Sequence, residues 1–243
     1  MDVAERMQTL SVSIGAQRLQ TNAAALLGWC YAEQGECEKG IQALQRALET
    51  SPDAFETAFI VGLVGFAHLE RGDFTKAISL LEHAAKQSHM RSRQVQSRVT
   101  LWLSYAYLLD GKLTKAHDLA LEGFSVSTDT RFGYGLGLAH RVLGQIASTN
   151  SRLTEAETHF QEALATFSSI QAQFELARTH LDRAALAHTQ NNYDTATIHL
   201  STAYAWFNKL QVPTYVEPTE HLAREYGVTL TEVELDELAE GQS

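Results

Sequence analysis

The chain has 243 residues, 44% hydrophobic and 20% charged, a balance that excludes a predominantly disordered polypeptide. Nineteen Lys and Arg stand against 29 Asp and Glu, and the formal charge of −10 is the wrong sign for a surface that collects phosphates, so no nucleic-acid partner is expected. No apolar run reaches the roughly 18 to 20 residues of a membrane helix, and the opening MDVAERMQTL has neither a basic nor an apolar leader region, which predicts a cytoplasmic protein with no membrane contact.

Residues 4–19 read as the second helix of a hairpin whose first helix is missing, so 1–20 is assigned to a lone N-terminal helix, the remnant of a preceding repeat. The three prolines, Pro52, Pro213 and Pro218, leave long stretches without a breaker, and no segment alternates apolar and polar residues between hairpin turns. The expected fold is therefore all-α. Pro52 closes one periodic segment, and Pro213 and Pro218 bracket a boundary near the C-terminus.

Between 21 and 210 the chain repeats itself. Gly40, Ala77, Ala116, Ala156 and Ala196 recur about every 40 residues, each preceded at a distance of twelve by Gly28, Gly65, Ser104, Gly144 or Ala184 and followed at seven by Ala47, Ala84, Gly123, Ala163 or Ala203. Small residues at these positions let two helices approach to the short end of the packing range. Gly35, Gly72, Gly111, Ser151 and Asn191 share the register between the two helices, where a left-handed residue ends a helix. Thr154 and Glu157 have capping-box spacing, and both cysteines, Cys30 and Cys37, read as reduced thiols in or beside a helix core. From 211 to 243 a capping helix and an acidic tail are expected, with Leu230, Val233, Leu235 and Leu238 set among the acids as in a short capping or ligand-like helix.

These units resemble tetratricopeptide repeats. The first carries Leu27-Gly28, Tyr31, Gly35, Leu44, Ala47 and Pro52 where that motif places its L-G, Y, turn glycine, bulky residue, alanine and closing proline; the fourth carries Leu143-Gly144, Ala156, Phe160 and Ala163. The resemblance implies a right-handed α-solenoid of five antiparallel hairpins. The long period, with Phe174-Glu-Leu-Ala-Arg-Thr-His-Leu and Val212-Pro-Thr-Tyr-Val, is similar to the C-terminal arrays of bacterial multidomain signalling ATPases, nucleotide cyclases and maltose-activator-like regulators. Such repeats specify a fold strongly and a function hardly at all.

No phosphate-binding loop, nucleophile elbow, zinc-protease motif or paired-cysteine spacing occurs, so neither an enzyme nor a cofactor is expected. Gly133, Gly135 and Gly137 read as a flexible inter-repeat loop rather than a phosphate cradle. His140 with His180, and His159 with His199, share registers that could set imidazoles on neighbouring helices, but eight identities between 139–170 and 179–210 make duplication the simpler source, and no metal site is assigned.

The resemblance places a concave groove on the first helices, at Trp29, Phe66 and Tyr105, one residue after each small position. Helical periodicity adds Arg141 a turn earlier, with Phe59, Arg98 and Arg178 another turn back, and Trp102 joins the aromatic set. The expected partner is a peptide or protein segment, anchored by aromatics and steered through its carboxylates by arginines; the alternative is a sensor module of a larger signalling ATPase, cyclase or transcription regulator. The lone N-terminal helix, close to Trp29 and Phe59, predicts pairing with a second copy or an upstream domain through that end.

Overall fold

A computed structural model describes residues 6, 9, 17–51, 54–88 and 92–235. Apart from residues 6 and 9, the expected helix at 4–16 lies outside the described residues, as do Pro52 and Leu238. Among the described residues there are eleven helices and no strand: α1 Gln17–Glu33, α2 Cys37–Glu49, α3 Ala54–Glu70, α4 Phe74–Ser88, α5 Arg93–Leu109, α6 Leu113–Thr130, α7 Gly133–Thr149, α8 Leu153–Ser169, α9 Gln173–Thr189, α10 Tyr193–Lys209 and α11 Pro213–Tyr226. The protein is an all-α solenoid of antiparallel hairpins, and it divides into two compact units, Met1–Thr130 and Arg131–Ser243.

In the first unit the hairpins are α1/α2, α3/α4 and α5/α6; in the second they are α7/α8 and α9/α10, followed by α11. All fifteen small-residue positions are buried. The reason is visible at the crossings. A Cβ on Gly28 would stand 2.9 Å from the Gly40 carbonyl oxygen and 2.5 Å from Leu44 Cγ, and one on Gly144 would meet the Phe160 ring at 2.7 Å. At the third crossing the Ser104 hydroxyl donates to the Ala116 carbonyl at 2.5 Å.

The hairpin turns are left-handed at Gly35, Gly72, Gly111, Ser151 and Asn191, the expected register. A second set was not foreseen. Arg131, Gln171 and Gln211 also have φ between 52 and 56°, so from Gly111 onward every twentieth residue is left-handed. Ser151, Gln171, Asn191 and Gln211 each close the preceding helix by paired bonds, for example Gln171 N–H to the Ser168 carbonyl and Ala172 N–H to that of Phe167. The long period is thus two equal halves: the helices α7 to α10 have 17 residues each and are joined by three-residue links. A side chain in this conformation costs about 1 to 2 kcal/mol relative to the right-handed helix, which the surrounding packing must offset.

Several local expectations are corrected. Gly133, Gly135 and Gly137 are not a loop: they form the start of α7, and a Cβ on Gly137 would strike the Phe167 ring. Pro213 opens α11, but Pro218 lies inside it, so the helix runs through the expected boundary. Helix α8 starts at Leu153 with no side-chain cap; Thr154 is already within it, and Glu157 pairs with Arg183 instead. The segment after α11 is no helix over 228–234, where the chain has no regular secondary structure. Cys37 is buried at the start of α2 and Cys30 half-buried in α1, both as free thiols whose pKa is raised, chiefly by burial.

Candidate functional site

In the first unit the first helices bring four of the singled-out residues together. Phe66 of α3 stacks on Trp102 of α5, with ring centroids 4.7 Å apart and planes 29° from parallel. Trp29 of α1 meets Trp102 edge-on at 6.2 Å. Arg98, one helical turn before Trp102, lays its guanidinium carbon 4.7 Å from the Trp29 ring centroid and 5.9 Å from that of Trp102. Phe66 and Trp102 are almost fully buried, whereas Trp29, Arg98, Phe59 and Tyr105 are half-exposed. The Trp102 indole Nε1 is buried and makes no hydrogen bond among the described residues. A buried donor without an acceptor is uncommon in folded proteins.

The corresponding helices of the second unit carry charge instead of aromatic rings. Arg141 of α7 is only 3% exposed and forms an ion pair with Glu175 of α9, while its Nε lies 3.1 Å from Asp182. Gln145 donates to Asp182 at 2.8 Å, Tyr134 donates to Glu175 at 3.1 Å, and Arg178 rests on Phe174 and Tyr215 with Glu175 3.9 Å away. The carboxylates nearest these arginines are therefore the chain's own. Burial raises the Asp182 pKa above the usual carboxylate value, against the Arg141 charge and the Gln145 hydrogen bond. Glu175 and Asp182 were missed from sequence, although they flank Arg178 at i−3 and i+4 on α9.

The four histidines with matched registers do meet, in two pairs. His140 and His159 bring their Nδ1 atoms to 3.1 Å between α7 and α8, and His180 and His199 to 2.9 Å between α9 and α10. Burial lowers the pKa of all four. That of His180 falls to about 3, with His199 and Arg183 adding to the effect, and that of His199 to about 4, with Arg183 adding. Each pair therefore holds one shared hydrogen bond between neutral rings. Among the described residues no group of three or more His, Cys, Asp or Glu is disposed to hold a metal ion. Between α9 and α11 a cavity of about 600 Å³ is lined by Leu181, Pro218, Leu222, His221, Glu217 and Arg224, and it was not foreseen from sequence.

Two family models of the tetratricopeptide repeat match the chain, over residues 25–54 and 65–123. Over those residues the chain carries tetratricopeptide repeats. Among solved structures, this repeat chain is similar to a Rap protein complexed with competence and sporulation factor, with a TM-score of 0.74 at 14% identity over 93% of this chain and 64% of that one. It is also similar to aspartyl phosphate phosphatase F from Bacillus subtilis, with a TM-score of 0.62 at 15% identity over 95% of this chain and 61% of that one. A kinesin light chain from Podosopora anserina with nearly identical TPR-like repeats gives 0.52 at 15% identity, covering 80% and 97% respectively. At these identities the likeness is one of fold. The chain spans less than two thirds of the Rap protein and of the phosphatase. No curated protein matches the sequence. The matched models describe the repeat and not the multidomain regulators that the long period resembles. No described helix is long and apolar enough to cross a membrane.

Proposed function

We propose that the protein is a non-enzymatic interaction scaffold whose first unit binds a peptide or protein segment at Trp29, Phe66, Trp102, Arg98, Phe59 and Tyr105. The observation that carries this reading is the three-ring cluster of Trp29, Phe66 and Trp102 with an arginine laid over it, partly exposed at Trp29 and Arg98. Rigid aromatic surface lowers the ordering cost of binding, and a stacked guanidinium keeps its N–H edge oriented toward an acceptor. An apolar segment bearing carboxylates fits this aromatic floor with an arginine laid over it. The second unit contributes less to such a ligand, because Glu175 and Asp182 already answer Arg141 and Arg178. A regulatory module of a larger signalling protein is the second reading, supported by the greater length of the Rap-type relatives.

The test is fluorescence titration of the full chain with a labelled acidic amphipathic peptide at low and high salt. Tyr105→Ala should weaken binding about tenfold at either salt, equivalent to about 1.4 kcal/mol, and Arg98→Ala should weaken it mainly at low salt. Binding indifferent to both substitutions refutes the site.

A further inference from the structure

After α11 the chain turns at Gly227, which is left-handed at φ 67° and where an added Cβ would meet nothing within 4 Å. It then runs over 228–234 without regular secondary structure and packs against α10. Its apolar residues are seated. Val228 and Leu230 pack on the cluster of Ala184, Leu200 and Ala223, while Val233 and the buried Leu235 pack on that of Ala203, Trp206, Phe207 and Val212. One backbone bond fixes the register: Thr231 N–H donates to the Ser201 hydroxyl at 2.9 Å, and the Thr231 hydroxyl reaches the same oxygen at 3.2 Å. In the repeat order this is where the second helix of a further hairpin would begin.

The fit is incomplete. A cavity of about 410 Å³ remains between the segment and α10, lined by Tyr204, Ala205 and Asn208 on one side and Leu230 to Glu234 on the other. Helix–helix crossings elsewhere in the chain leave no room for a methyl group, as at Gly28 and Gly144. The segment therefore covers α10 without filling its face, held by one polar residue and four apolar ones. Ile198, one helical turn before Thr202 on α10, stays 60% exposed.

We propose that this face of α10 is a docking surface for a non-helical segment carrying apolar and acidic residues supplied by a partner, and that residues 228–235 are its resident occupant and compete with that partner. The chemistry of the partner is read from the occupant: valine or leucine at the positions of Val228, Leu230, Val233 and Leu235, acids at those of Glu232 and Glu234, and a hydroxyl residue or exposed backbone N–H opposite Ser201. A tethered occupant acts at a high effective concentration, so the surface binds such a partner weakly until the tether's own contacts are loosened.

The experiment uses the full chain and a fluorescein-labelled synthetic peptide, VTLTEVELDELAE, the sequence of residues 228–240. Fluorescence anisotropy is measured with the wild-type chain, with Leu235→Asp, and with Leu235→Asp combined with Ala205→Arg on α10. The expected result is binding at least about tenfold tighter to Leu235→Asp than to wild type, because one buried anchor of the resident segment is gone, and return to the wild-type level or below when Ala205→Arg blocks the face. Circular dichroism melts confirm that both variants are folded. Equal binding to wild type and Leu235→Asp overturns the proposal. So does tightened binding that Ala205→Arg leaves unchanged but Tyr105→Ala abolishes, since the peptide then occupies the aromatic site of the first unit.

Discussion

Acidification should loosen the second unit through His180 and His199. Both rings are kept neutral in the folded chain, His199 at 8% exposure with a pKa of about 4 and His180 at about 3, each lowered first by burial. In the unfolded chain both titrate near 6.5. Above that pH the two states bind the same protons and the pair costs nothing. Below it the unfolded chain takes up protons that the folded chain declines, so stability falls with a slope of up to about 1.4 kcal/mol per pH unit for one histidine. Between pH 6.5 and 4 one such ring accounts for about 3 kcal/mol, a large part of the roughly 5 to 15 kcal/mol that holds a domain folded. The two rings share a hydrogen bond at 2.9 Å, and Arg183 lies within reach of both, so their losses are coupled rather than additive. Arg183 is itself held by Glu157 of α8. The assay is urea unfolding followed by circular dichroism at half-unit steps from pH 7.5 to 4.5, for wild type and for the double variant His180→Asn with His199→Asn. Carboxylate titration is common to both proteins and cancels in the difference. Wild type should lose more stability than the double variant between pH 6.5 and 4.5. Parallel curves would refute the burial of two neutral imidazoles.

Two further predictions concern packing. Arg141→Met should destabilise the chain by about 3 to 5 kcal/mol, because it leaves the buried Glu175 with only the more distant Arg178, 3.9 Å away, whereas Arg141→Met with Glu175→Gln should recover most of that loss; equal denaturation midpoints for the single and double variants would contradict the pairing. Gly28→Ala should cost about 1 to 3 kcal/mol, since its Cβ would stand 2.9 Å from the Gly40 carbonyl, and Ala116→Leu should cost as much at the third crossing; an unchanged melting temperature in both would mean that the helices do not meet at the small residues.

The sequence alone determined the helical class, the hairpin unit and its turns. Small residues and left-handed positions impose local constraints that can be read along the chain: glycine at 35, 72 and 111 takes positive φ without steric cost, and Gly28 facing Gly40 leaves no room for a methyl group. The aromatic residues of the first unit were legible for a related reason, since helical spacing fixes which of them share a face. What only the tertiary structure decided are the partners of residues far apart in the chain. Arg141 looks free in sequence and is neutralised by Glu175 and Asp182, 34 and 41 positions away, because α7 lies against α9. Gln171 and Gln211 have no intrinsic preference for positive φ, and packing of the flanking helices holds them there. Pro218 continues a helix that its residue type should end, and the segment after Gly227 pairs with α10 instead of coiling. In each case long-range contacts outweigh a local preference of only about 1 to 3 kcal/mol.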